Sequence, residues 1–458
     1  MEHRRLEDLI VNSDTTIEGA IEAINQGCSR GVFICDEDKE LLGIVMDSDI
    51  RRAILGNFNL NASVVTIMNT TPFVINQDLS PEEKRRSFIK SDKILAPVVD
   101  RSRRVVDSVR LSDVMEQIYL AKAFEDHYKS PSQKILVIGG AGYIGSVLTD
   151  KLLRMGHQVR VVDLLLYGKK SIECFGKRRF DFVRGDCRDR NTIEAALDGM
   201  DSVVHLGEIV GDPACGVNET LTIGTNYSAT QMIAEACVKR GIKRFVFASS
   251  CSVYGQNGDD VNEMSEPNPI SLYARCKIES EKAVLSFDYN RFCPTVLRLA
   301  TVHGISFRQR FDLVVNLLAI KALTERKIKI FGGAQWRPFI SVKDVCRGIV
   351  AVLHSDTEDV RNKIFNLGDS SENHQLIQIG RMIKRLMPET KMEVLEDEVD
   401  RRSYRVKFDK IRGALGFYAE HRIADSLMEF VTAYKNQKLF HDYREPRYYN
   451  ALTLNGKG

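Results

Sequence analysis

At 458 residues the chain exceeds what one hydrophobic core organises, so two or three domains are expected. With 43% hydrophobic and 28% charged residues, a net charge of +3 and no basic stripe, it offers nothing to nucleic acid. No apolar run is long enough to span a bilayer, and the opening Met-Glu-His-Arg-Arg starts no signal peptide. Ten cysteines without a CxxC pair argue for reduced thiols in the cytoplasm and against a zinc site or a disulfide frame, so no metal is expected.

The leading segment predicts the same elements twice. A helix over 16–26, a strand over 31–36, a turn, a strand over 42–46 and a helix opening at Asp47 come first. A helix over 81–91, a strand over 96–99, a turn, a strand over 105–110 and then Leu111-Ser112-Asp113-Val114 answer them. Residues 8–118 resemble a tandem pair of cystathionine-β-synthase-type (CBS) modules. The resemblance implies two repeats around a cleft for an adenine nucleotide (AMP, ADP or ATP), with Asp49 and Asp113 at the ribose-binding aspartate. Met46 and Arg110 stand where that family has a phosphate-contacting Ser or Thr, and Asp107 replaces the glycine kept as Gly43. The other reading is a pair kept for dimerisation, with both aspartates capping helices.

A helix over 114–127 and the turn formers Lys129-Ser130-Pro131-Ser132 set the boundary between a module over 1–128 and a second domain over 133–458. Lys134 opens Lys-Ile-Leu-Val-Ile-Gly-Gly-Ala-Gly-Tyr-Ile-Gly, an apolar run turning into Gly139, Gly142 and Gly145 before a helical pattern. Asp163 closes the next apolar run, eighteen residues past Gly145. Strand, glycines, helix, strand and acid in that order form a βαβ unit for a dinucleotide. The glycines admit the pyrophosphate, the helix N-terminus faces it, and Asp163 takes the adenosine ribose hydroxyls and repels a 2′-phosphate, favouring NAD. Further strands over 182–184, 202–205, 244–247 and 295–299 alternate with amphipathic helices, as in a Rossmann-type, doubly wound parallel α/β sheet. After Thr301 the periodicity is mixed, as expected of a small C-terminal substrate-binding part.

Tyr273 and Lys277 lie at i and i+4 in a stretch without Gly or Pro, so a helix brings both to one face. A phenol of pKa ~10 is a poor base unless an ammonium and an oxidised nicotinamide stabilise its anion. Ser249 and Ser250 follow the 244–247 strand, where a hydroxyl reaches the cofactor crevice; Ser250 can bond the reacting sugar oxygen. Residues 133–440 resemble an extended short-chain dehydrogenase/reductase of the nucleotide-sugar epimerase/dehydratase family. The motifs that carry this are GGAGYIGS, Gly185-Asp186, His205-Leu206, Asn226, SSCSVYG, YARCK, Arg298, RPFISVKD and Asn366-Leu367-Gly368.

The resemblance implies a cofactor set of Gly139, Gly142, Tyr143, Ile144, Gly145, Asp163 and Ser249 together with further contacts. Asp186 and Cys187 would flank the adenine, Leu206, Gly207 and Glu208 would pass beneath the nicotinamide ribose, and Asn226 would support the site. Tyr273 and Lys277 would be the catalytic pair beside Ser250, with Lys277 also holding ribose hydroxyls. One departure narrows the reaction: the family's dehydratases carry Asp and Glu after the catalytic hydroxyl, where this chain has Cys251 and Ser252. Neither expels hydroxide at neutral pH, which disfavours dehydration.

Arginine forks suit the diphosphate of a nucleotide-sugar substrate, and Arg308, Arg310, Arg337 and Arg402 beside Tyr404 are candidates, with Asn316 matching the family asparagine near the phosphates. His205 ends an apolar strand and reads as a packed residue. The expected activity is 4-epimerisation through a transient keto sugar with NAD recycled. A 4-dehydrogenase or 4-ketoreductase with net NAD(H) turnover is the alternative in the same fold, and an adenylate or NAD sensor is the non-enzymatic one. Both resemblances imply a homodimer or higher homo-oligomer.

Overall fold

The computed structural model describes residues 6–26, 29–79, 87–88, 91, 93–110, 132–176, 178–287, 292–395, 402–435 and 439–455. The chain divides into two compact units, Met1–Ser130 and Pro131–Gly458. Among the described residues, no helix is long and apolar enough to cross a membrane.

In the first unit, the strands Ile10–Asn12, Gly31–Cys35 and Leu41–Met46 form one sheet, and Ile75–Asn76, Leu95–Val99 and Val105–Arg110 form another. Each joins a parallel pair to an antiparallel hairpin, and the hairpin registers slip at matching places, between Ile34 and Cys35 and between Val98 and Val99. The turns repeat as well. Asp36 accepts from the amides of Asp38 and Glu40, and Asp100 from those of Ser102 and Arg104. Lys39 and Arg103 take the left-handed conformation at φ 63° and 62°. The two turns then bond each other reciprocally, Leu41 N–H to Arg103 O and Val105 N–H to Lys39 O, both at about 3.1 Å or less. The duplication read from sequence is thus a structural one. Asp113 and most of the predicted 81–91 and 114–127 helices lie outside the described residues.

The second unit is built on a seven-stranded sheet in the order Lys363–Leu367, Cys293–Leu299, Arg244–Ser250, Ser202–His205, Lys134–Ile138, Gln158–Asp163, Phe180–Arg184. All six pairings are parallel. Helices cover both faces, so the strands read as continuous apolar runs. Ile135 and Val137 pack with Leu148 and Leu152 of the helix Tyr143–Arg154 on one face. Leu136 and Ile138 pack with Ile193, Ile233 and Val284 on the other. The strand order reverses between Lys134–Ile138 and Ser202–His205, which opens a crevice beyond their carboxyl ends. The strand predicted over 244–247 runs on to Ser250 because its neighbour keeps pairing, Ser249 with Arg298 and Ser250 with Leu299.

The remaining strands build small sheets beside the main one, among them Thr301–His303, Trp336–Ser341 and Asn373–Gln375. Their core gathers Phe311, Val315, Leu318, Ile379 and Phe430. The aromatic tail from Phe440 to Tyr449 folds into this core. Phe440, Tyr443 and Tyr448 ring Phe311 at 5.4, 6.1 and 5.3 Å between centroids.

Candidate active site

The glycine turn leaves the strand Lys134–Ile138 with Gly139 at φ +83°, a conformation that disfavours a side chain. A Cβ on Gly139 would also lie 2.7 Å from the backbone of Gly207, so the two loops at the sheet reversal touch there. Gly142 N–H closes the turn on Gly139 O at 3.1 Å and caps the helix Tyr143–Arg154, whose first amides face the crevice end. Gly145 is needed because a Cβ there would run into Gly139 O. The helix is then held from outside. The Tyr143 phenol donates to Gly304 O at 2.6 Å, and Tyr143 O accepts from Ser306 Oγ at 2.6 Å. Ile144 packs against the first of the two sheet cores.

Asp163, at the end of the next strand, accepts one backbone N–H on each carboxylate oxygen, from Ala141 at 3.0 Å and Leu165 at 2.8 Å. Each oxygen keeps a lone pair for a hydroxyl. Burial pushes its carboxyl up, and the two amides oppose that. Asp186 is gripped by the Arg188 guanidinium, 2.6 Å at the closest, which holds its carboxyl below the usual range. Cys187 directs its thiol to Gly207 O at 3.6 Å, and burial raises it to about 12. Asn226 clamps the facing loop, its amide exchanging both bonds with the Ile209 backbone at 2.9 and 2.8 Å. A close-approach turn, a helix N-terminus and a carboxylate with spare acceptor capacity are the parts a dinucleotide requires, so the residues fit one.

Tyr273 and Lys277 lie in the helix Leu272–Ser286, capped by Ser271 Oγ, which accepts from Ala274 N–H at 3.2 Å. The Tyr273 hydroxyl is hydrogen-bonded to Ser250, and the Lys277 Nζ lies 5.6 Å from the Tyr273 ring centroid. The structure therefore brings the three candidate catalytic groups together. Ser249 does not join them. Successive strand residues face opposite ways, so while Ser250 meets Tyr273, Ser249 is buried and donates to Glu281. Its hydroxyl is thus spent on a structural bond. The charge at the phenol also differs from expectation. Lys277 is paired with the buried Glu208 and donates to Ala248 O, and burial followed by the Glu208 charge pushes the Tyr273 phenol well up.

The expected substrate residues fall into two groups. Arg402 pairs with Asp212 at 2.6 Å, its carbonyl accepts from Arg337, and the Arg337 guanidinium lies 5.4 Å from the Tyr404 ring centroid. Asp212 opens the short helix Asp212–Cys215, and Cys215 packs with Tyr273. Arg310 is held by both Asp312 oxygens at 2.8 and 3.1 Å. Arg308 stacks on Tyr167 at 3.8 Å and bonds Asn450 Oδ1 at 2.7 Å, with the Asp163 charge within reach. Burial lowers it to about 10. Asn316 spends its amide inside the fold, on Gly304 N–H, the Tyr143 hydroxyl and Arg310 O, so it shapes the loop that carries the arginines. His205 and His303 are buried and depressed to about 3, hence neutral; His205 bonds Thr230 at 2.9 Å.

Two contributors were not legible in sequence. The Glu208 side chain, expected only as part of a passing loop, is the partner of Lys277; an acid three residues past an apolar strand at the sheet reversal is the one available signal. Asn450, opening the terminal helix Asn450–Asn455, donates to Val210 O at 2.9 Å while its amide bonds Asp312, and Ala451 and Leu454 pack near Tyr273. No local pattern announces that closure.

Comparison with known proteins follows this geometry. The family model described as "NAD dependent epimerase/dehydratase family" matches residues 135–368, and a CBS domain model matches residues 6–56. An uncharacterized UDP-glucose epimerase, YtcB, of Bacillus subtilis is 34% identical over 48% of this chain and 72% of its own length. UDP-glucuronic acid decarboxylase 1 of Xenopus tropicalis is 32% identical, and the match covers 56% of this chain and 60% of that one. Among solved structures, a UDP-glucuronic acid 4-epimerase from Bacillus cereus in complex with UDP-glucuronic acid and NAD superposes with a TM-score of 0.59 at 28% identity. That match covers 65% of this chain and 98% of the epimerase.

Proposed function

From the premise that this chain belongs to the NAD dependent epimerase/dehydratase family, we propose that it epimerises a nucleotide-diphospho-sugar through a transient 4-keto sugar. NAD is its cofactor; when bound, it supplies the two-electron acceptor for the sugar carbinol carbon. The chain's own groups do the rest. Tyr273 removes the hydroxyl proton and keeps it for the return step, and Ser250 holds the sugar oxygen and shares that proton. Lys277, paired with Glu208, stands beside the phenol and holds the ribose hydroxyls. Asp163 selects the cofactor by accepting ribose hydroxyls.

The observation that carries epimerisation over water loss is what stands beside Ser250. Cys251 is fully buried, its thiol is raised above the ordinary range by burial, and it is turned to Arg298 O at 3.3 Å. Ser252 is buried too. Neither of these two positions offers an acid to protonate a departing hydroxide. Purified protein incubated with UDP- or dTDP-hexoses is expected to interconvert C4 epimers, followed by proton NMR, without net NADH. NADH formed in step with product would replace epimerisation by net oxidation.

The N-terminal unit is read as a regulatory module for an adenine nucleotide. The duplicated hairpins support this; Asp49 caps the helix Asp47–Leu55, as the other reading expects, by taking the Met46 amide at 2.9 Å, and it also takes Arg52 at 2.8 Å while retaining acceptor capacity. Calorimetric titration of the full chain with AMP, ADP and ATP is expected to show saturable heat that Asp49→Ala removes. Flat titrations with all three would leave the unit a structural pair. The nine described cysteines are free, in keeping with the cytoplasm.

A further inference from the structure

Glu208 stands three residues past the strand Ser202–His205, at the sheet reversal. It forms an ion pair with Lys277 in which the two side chains are 2% and 3% exposed. Its other oxygen, Oε1, is buried with no hydrogen-bond partner among the described residues. A carboxylate buried with one oxygen unsatisfied works against stability, so packing does not account for it. Lys277 meanwhile sits over the rings of Phe247 and Tyr273, at 4.8 and 5.6 Å from their centroids.

We propose that Glu208 is a positioning residue for the proton transfer assigned to Tyr273: it holds the Lys277 ammonium in place and offsets its charge at the phenol. The proposal rests on the reading of Tyr273 as the base. A lysine alone beside a phenol favours phenolate, whereas a lysine already matched by a carboxylate presents no net charge. The phenol then keeps its proton until a cationic ligand restores the balance, and an oxidised nicotinamide is such a ligand.

The surrounding charges agree. Facing Tyr273, Glu208 and Cys215 raise its proton affinity while Ser250 and Arg310 lower it, burial being larger than any of them. Cys187 and Cys215 are pushed up to about 12, Cys276 is raised, and His205 is depressed to about 3, so these neighbours are neutral. Asp212, which faces Cys215, is matched by Arg402. Burial pushes the Glu208 carboxyl up and the paired Lys277 ammonium opposes that, so the ion pair is what maintains the charge that Glu208 turns to Tyr273.

The test is an ultraviolet titration of tyrosinate in the full chain loaded with NAD, with Tyr273→Phe as blank. Glu208→Gln is expected to lower the Tyr273 midpoint by about 1–3 pH units, with the acidic limb of kcat/KM moving down by the same amount. Glu208→Asp, which keeps the charge, restores most of the wild-type midpoint. Glu208→Ala carries the same expectation as the Gln variant and serves if that one fails to fold. A midpoint that stays put or rises when the charge is removed overturns the proposal. Failure of the wild type to convert any sugar nucleotide would strike the epimerase reading and leave this titration interpretable, so the two failures are distinct.

Discussion

Tyr273→Phe is expected to lower kcat by about 10²–10⁴-fold while leaving the fold and NAD affinity near wild type. The substitution removes one oxygen. The ring keeps its place because Ile209, Ala214 and Cys215 pack against its apolar body, and the lost polar contact is the hydrogen bond with Ser250. Lys277 stays anchored by Glu208 and Ala248 O, so the groups assigned to the nicotinamide end are undisturbed. What disappears is the group that accepts the sugar proton, and no neighbour replaces it: His205 bonds Thr230 and is neutral, and Glu208 is already paired. Stopped-flow or NMR turnover measured beside NAD calorimetry separates the two effects. Turnover within tenfold of wild type would move the base elsewhere and reopen the sensor reading.

Glu281→Ala is expected to destabilise the second unit by about 3–5 kcal/mol, read from urea denaturation. Arg298 reaches Glu281 through two nitrogens, at 2.7 Å for the closer and 3.0 Å for the other, with side chains 5% and 4% exposed. Its remaining nitrogen meets the Tyr254 hydroxyl at 3.0 Å, which in turn donates to Asn366 at 2.8 Å, and Ser249 donates to Glu281. This network ties the strands Arg244–Ser250, Cys293–Leu299 and Lys363–Leu367 to the helix that carries Tyr273. Removing the carboxylate leaves an arginine charge buried without a counter-ion, which is the costly event. The double variant Glu281→Leu with Arg298→Met removes both charges and is expected to recover most of the loss. A double variant as unstable as the single one would place the cost in packing.

The nucleotide-binding half was legible for a physical reason: its signals are local. A run of apolar residues, three glycines and a capped helix specify their own backbone within a dozen residues, and Gly139 at φ +83° is the kind of position that only the sequence Gly makes easy. The Tyr273–Lys277 spacing is equally local, since one helical turn brings the two to one face. The duplicated hairpins are legible on the same ground, each turn being set by an aspartate that bonds its own chain two and four residues on. The arginines were harder. Their type announced phosphate chemistry, but a long flexible side chain can reach several places: Arg308 stacks on Tyr167, whereas Arg402 pairs with Asp212.

The amino-acid order by itself determined the two-part organisation of motifs, the dinucleotide turn with Asp163, and the Ser250–Tyr273–Lys277 set, because each rests on short-range periodicity. Tertiary packing alone decided the charges that surround that set. Glu208 meets Lys277 across 69 positions, Arg402 meets Asp212 across 190, and Asn450 meets Val210 across 240. Such pairings carry no spacing rule: chain closure over those lengths costs nearly the same for many partners, and it is the filling of the folded interior that selects one.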